Sequence, residues 1–143
     1  MEENNNPIEN TQSLFRVLAW IGVAGNAIVG IVALFFMVSG ITGTGFMTNI
    51  DDASISTSKV ILSILILLLV VVLCSAAVIG LMKLIRGDRK GRKLFLIANL
   101  VWIALTFLIL RDYGFYQLGI FSAIYTLVVL FLSREEGVKE SEG

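Results

Sequence analysis

Lys83, Arg86, Arg89, Lys90, Arg92 and Lys93 fall within one short segment, opposed only by Asp88. Beside an apolar helix, such a cluster can attract the phosphates of anionic lipid headgroups, each Lys or Arg contributing about 1 kcal/mol. A nucleic acid offers the same phosphate chemistry, but none is expected as a partner. The simpler role of these charges is topological: cations hold a loop on the cytoplasmic side of a membrane.

A second set of residues is polar but uncharged. Asn26, Cys74 with Ser75, Trp102 and Tyr125 each lie near the middle of a long apolar run. Asn99 and Thr106 flank Trp102 at helical spacing, so all three share a face, and Ser122 and Thr126 accompany Tyr125. A polar group without a partner costs several kcal/mol in hydrocarbon, so this layer is expected to face inward. It could line a small-molecule or ion site between helices. The alternative is interhelical glue, a use typically worth less than about 1 kcal/mol per pair, and glue is the favoured reading.

Other chemistry is missing. The chain has no histidine and one cysteine, Cys74, which leaves no intrachain disulfide and no Cys/His metal site. No cofactor is expected. No Asp, Glu, Lys or Arg lies deep in an apolar run, whereas ion- and proton-coupled transporters usually bind the coupling ion through one. That absence separates the chain from the small multidrug transporters, which use a membrane-embedded glutamate. Glycine-rich phosphate loops, paired catalytic carboxylates and nucleophile elbows are also lacking, so the protein is not expected to be an enzyme. Arg111-Asp112-Tyr113 is the one hint of a polar cluster at headgroup level, and it reads as a solvated turn.

Small residues mark where helices could approach closely. Gly22, Asn26 and Gly30 recur every fourth position, with Gly25 and Ala33 nearby, and Ala76 and Gly80 repeat the spacing. In lipid, packing rather than hydrophobicity drives helix association. These faces could serve a homo-oligomer, a membrane-protein partner or the monomer itself, and the monomer is favoured.

The elements that must carry these residues follow from composition. Of 143 residues, 57% are hydrophobic and 15% charged, and the mean hydropathy is +0.88. A soluble fold of this size could not cover that much apolar surface. Four runs are long enough to cross a bilayer, which takes roughly 20 residues: about 14–38, 59–84, 92–110 and 115–133. The third is marginal, its uncharged stretch reaching only from Leu94 to Leu110. Residues 14–133 thus form a single transmembrane domain, an integral membrane four-helix bundle. It is flanked by a polar N-terminal tail, 1–13, and a polar, frayed C-terminal tail, 134–143. The acidic, Asn-rich start argues against a cleaved signal.

The basic segment between the second and third spans puts that loop in the cytoplasm, and with it both termini. Short second and third loops force antiparallel neighbours and predict an up-down-up-down order. Tyr113, Phe115 and Tyr116 would form the outer aromatic belt, with Trp20 towards the inner side. A bacterial cytoplasmic (inner) membrane is the expected location. The expected role is that of a non-enzymatic accessory or scaffolding subunit, the alternative being a small-solute or ion pathway through the polar layer.

Overall fold

The computed structural model describes residues 7–42, 57–109 and 116–140. These form four helices, α1 (Pro7–Thr42), α2 (Thr57–Ile85), α3 (Arg89–Leu108) and α4 (Tyr116–Glu140). The Ser39–Ser58 loop lies largely outside the described residues, and Leu110 with Arg111 to Phe115 lies wholly outside them, taking most of the outer aromatic belt with it.

Each helix follows from its composition. The α2 core is an uncharged run from Val60 to Met82, broken in its apolar character only by Ser63, Ser75 and Gly80, and the helix's 29 residues reach about 43 Å, against a hydrocarbon core of about 30 Å. Helix α1 starts at Pro7, earlier than the expected apolar span. Proline suits the first helical position, where its fixed φ is pre-organised and its missing N–H has no partner to lose. Helix α4 runs on to Glu140, where a frayed tail is expected from Arg134. Glu135, Glu136, Lys139 and Glu140 are good helix formers and extend a helix that the membrane span has already nucleated.

The turn between α2 and α3 is tightly specified. Gly87 adopts φ +80°, its N–H donates to the Leu84 carbonyl at 3.0 Å, and the Asp88 N–H donates to that of Lys83 at 2.9 Å. This pair of bonds is a Schellman cap, which needs a left-handed residue where glycine alone is unstrained. Asp88 then caps α3, its carboxylate accepting from the Lys90 N–H at 2.8 Å. One residue thus closes one helix and opens the next.

Helices α1 and α2 pack along each other, as do α2 and α3, and α4 lies on α3 with a thinner contact to α1. One buried cluster draws on all four: Phe15 and Ala19 of α1, Leu81 and Leu84 of α2, Phe95 of α3, Val129 and Leu132 of α4. A second, formed by Ala33, Val70, Leu73, Cys74 and Leu105, involves α1, α2 and α3 only. The outer surface is apolar. Ile28, Ile31, Phe35, Leu62, Leu65, Ile97, Leu100, Phe121 and Leu127 are all exposed, while Asn99, Thr106 and Thr126 are buried. A water-soluble protein places such residues the other way round. All four helices are long and apolar enough to cross a membrane, and the chain is a multi-pass membrane protein.

Candidate functional site

The polar residues of the spans separate by where their hydrogen bonds go. Several close onto their own helix. Asn26 Nδ2 donates to the Gly22 carbonyl at 2.8 Å, Asn99 Nδ2 to that of Phe95 at 2.8 Å, Thr106 Oγ1 to that of Trp102 at 2.9 Å, and Thr126 Oγ1 to that of Ser122 at 2.6 Å. Each reaches back four residues to a carbonyl that already accepts in the helical ladder. No buried side-chain nitrogen or oxygen among the described residues lacks a partner.

Ser75 corrects the expectation that the whole layer faces inward. It is exposed, and its hydroxyl donates to the Val71 carbonyl at 2.8 Å. The inward face of α2 is taken by Val70, Leu73, Cys74, Ala77, Leu81 and Leu84, which turns the next position after Cys74 outward. Its own helix satisfies the hydroxyl, so facing lipid leaves nothing unpaired.

Among the residues of the polar layer, two bonds cross between helices. Trp102 Nε1 of α3 donates to Ser122 Oγ of α4 at 3.1 Å. The Tyr125 hydroxyl of α4 donates to the Leu18 carbonyl of α1 at 2.8 Å, and its ring meets Phe95 edge-on with centroids 6.3 Å apart. The expected single layer therefore resolves into an α3–α4 pair and an α1–α4 pair. Replacing Trp102 by Phe should cost about 0.6 kcal/mol, the usual worth of an interhelical bond in a membrane. Ser75→Leu should stay within about 0.5 kcal/mol of the parent. Unfolding in mixed micelles of increasing denaturing detergent would measure both. A larger loss for Ser75→Leu than for Trp102→Phe would contradict this assignment.

Among the small residues, Gly80 and Gly22 sit at close contacts. A Cβ built on Gly80 would lie 2.7 Å from the Phe95 backbone nitrogen. One on Gly22 would run into the Tyr125 hydroxyl and lie 2.9 Å from Leu81 Cδ1. A Cβ on Gly30 would lie an ordinary 3.4 Å from Cys74 Cβ, one on Gly25 would meet nothing within 4 Å, and Ala76 is half-buried.

Two further glycines matter that the spacing did not single out. A Cβ on Gly91 would come within 2.6 Å of the Gly80 carbonyl oxygen and of Lys83 Cβ, and one on Gly119 within 3.2 Å of Thr106 Cγ2. Gly91 is masked in the sequence by the basic run around it, where it reads as a turn residue. The available signal was its place just inside a helix, where glycine costs about 1 kcal/mol relative to alanine and so implies a compensating contact.

The six basic residues of the α2–α3 turn are all exposed. Lys83 stands in the last turn of α2, where a cation suits the helix dipole. Arg89, Lys90, Arg92 and Lys93 stand at the start of α3, whose first turn holds no acid. Arg16 and Arg134 are also exposed, each adjacent in sequence or nearly so to a residue of the four-helix cluster, Phe15 and Leu132.

Compared with known protein families, curated proteins and solved structures, the chain matches none.

Proposed function

We propose that this multi-pass protein is a non-enzymatic accessory or scaffolding subunit that works by helix–helix contact. In this reading it sits in a bacterial inner membrane, crosses it up-down-up-down and keeps both termini in the cytoplasm. The observation that carries the proposal is the uneven cover of the four helices. A third of the span window is buried in α2 and in α3, but 11% in α1 and 17% in α4. Helix α1 therefore offers Ile28, Ile31, Val32 and Phe35 to its surroundings, while the buried polar groups of the described spans already have hydrogen-bond partners. A solute pathway would need such groups open to a passing ligand, so their engagement favours adhesion over transport. The cytoplasmic assignment of the termini draws on the six cations of the α2–α3 turn.

The test uses photo-reactive residues placed singly at Ile31, at Phe35 and, as a buried control, at Ala98. In the native membrane the first two should give discrete adducts with another protein or a second copy, and the control none. A purified protein that runs as a lone monomer, with only lipid adducts at Ile31 and Phe35, would reject the reading.

A further inference from the structure

The first turn of α3 carries Arg89, Lys90 and Arg92, followed by Lys93, and no acidic residue. A helix N-terminus already bears partial positive charge, so cations there are repelled where anions are welcome. The Asp88 carboxylate at the cap is engaged with the Lys90 N–H. Holding the turn on one side of the membrane requires cations nearby. It does not require them at the one end of α3 that disfavours them, when the last turn of α2 just before the cap would suit them better and holds only Lys83.

Helical spacing shows what lies beneath these charges. Arg89, Arg92 and Lys93 share a face at i, i+3 and i+4, and the same stripe continues through Ile97, Leu100 and Ala104. All six positions are exposed. The opposite face, through Gly91, Phe95, Ala98 and Asn99, is buried against the bundle, and the Gly80–Gly91 contact fixes the turn in place. The stripe is thus a cluster of cations at the head of an open apolar track.

The geometry points to a binding site for an anionic phospholipid on this stripe. Its phosphate lies against Arg89, Arg92 and Lys93, where it also meets the positive end of α3, and an acyl chain runs along Ile97 and Leu100. Free phosphate would use only the first half. An apolar partner helix would use only the second and would leave three cations unanswered.

The test reconstitutes the purified full chain in nanodiscs of phosphatidylcholine with or without phosphatidylglycerol. Bound lipid is counted by native mass spectrometry and stability is followed by thermal unfolding. Phosphatidylglycerol should be retained preferentially and should raise Tm. The preference should fall about fivefold for each cation removed in Arg89→Gln/Arg92→Gln/Lys93→Gln, and survive in Lys59→Gln at the far end of α2. In pure phosphatidylcholine the triple variant should be at least as stable as the parent, because like charges have left the helix N-terminus. If the triple variant does not fold, Arg92→Gln alone reads the same effect at one fivefold step. Equal retention of the two lipids by the parent, a preference undiminished by the substitutions, or a Tm rise produced equally by inorganic phosphate would overturn the proposal.

Discussion

Gly80→Ala and Gly91→Ala should each destabilise the bundle by about 2–3 kcal/mol, and Gly80→Leu should abolish the folded state. The reason is the kind of atom that each new Cβ meets. At Gly80 it lies 2.7 Å from the Phe95 backbone nitrogen, and at Gly91 2.6 Å from the Gly80 carbonyl oxygen and 2.9 Å from the Leu84 nitrogen. Backbone cannot swing aside as a side chain can, so α2 and α3 must separate. Overpacking of this sort costs about 1–3 kcal/mol, occasionally more. Separation would also open the four-helix cluster around Phe95, Leu81 and Leu84. In a membrane no hydrophobic force would draw the two helices back together. Because the two glycines face each other, the second substitution meets helices already parted. The double variant should therefore cost less than the sum of the singles. Gly25→Ala supplies the contrast: nothing lies within 4 Å of the added carbon, and its stability should equal the parent's or exceed it by up to about 1 kcal/mol, since alanine is the better helix former. Detergent unfolding of the five variants beside the parent checks the set. Equal losses at Gly25 and Gly80 would show that close approach does not govern these positions, since helix propensity alone favours alanine at both.

The spans were legible because their signal is collective. A run such as Val60 to Met82 can be read from apolar length alone, and no single residue decides it. The α2–α3 turn was legible for a similar reason, since glycine, aspartate and a block of cations interrupt two apolar runs within a few residues. The inward layer was less readable. Depth along a helix follows from counting residues, but azimuth depends on which neighbours the helix meets. Cys74 and Ser75 stand at almost the same depth, yet one is buried and the other exposed. Helix α2 is apolar all round, so it carries no periodic contrast from which to read a facing. Helix α3 was the easier case. Asn99, Trp102 and Thr106 recur at helical spacing, and Asn99 and Thr106 are buried with Trp102 half-buried beside them. Close approaches were the hardest to foresee. Gly80 stood out as part of a small-residue repeat, whereas its opposite number, Gly91, belongs to another helix and to a segment whose charges dominate the eye. That contact exists only once the Schellman cap at Gly87 has folded α3 back onto α2, a long-range consequence of a local turn.

Gly22→Ala should cost about 2 kcal/mol, and most of that loss should disappear when Tyr125 is shortened. At Gly22 the obstacle is a side chain. The added carbon would strike the Tyr125 hydroxyl and come within 2.7 Å of Tyr125 Cζ. The ring is not free to leave, since its hydroxyl donates to the Leu18 carbonyl at 2.8 Å and it packs in a T-shaped contact with Phe95. Displacing it would break the hydrogen bond that joins α4 to α1, where the contact between these two helices is already thin. Tyr125→Leu alone forfeits that bond and part of the aromatic packing, about 1–2 kcal/mol, but it removes the two nearest atoms that the added carbon would strike and leaves only the flexible end of Leu81 at 2.9 Å. The two substitutions should therefore be strongly non-additive, with the double variant close to Tyr125→Leu alone and a coupling of at least about 1 kcal/mol. Tyr125→Phe separates the contributions, because it deletes the hydrogen bond and keeps the ring. It should cost about 0.6 kcal/mol by itself and relieve Gly22→Ala only partly, as Cζ remains in the way. A four-membered cycle of unfolding free energies in mixed micelles measures these terms. Strict additivity between Gly22→Ala and Tyr125→Leu would mean that α1 does not meet α4 at this glycine. The thin α1–α4 contact would then have to rest on residues of the four-helix cluster such as Phe15 and Val129, leaving α1 held chiefly by α2.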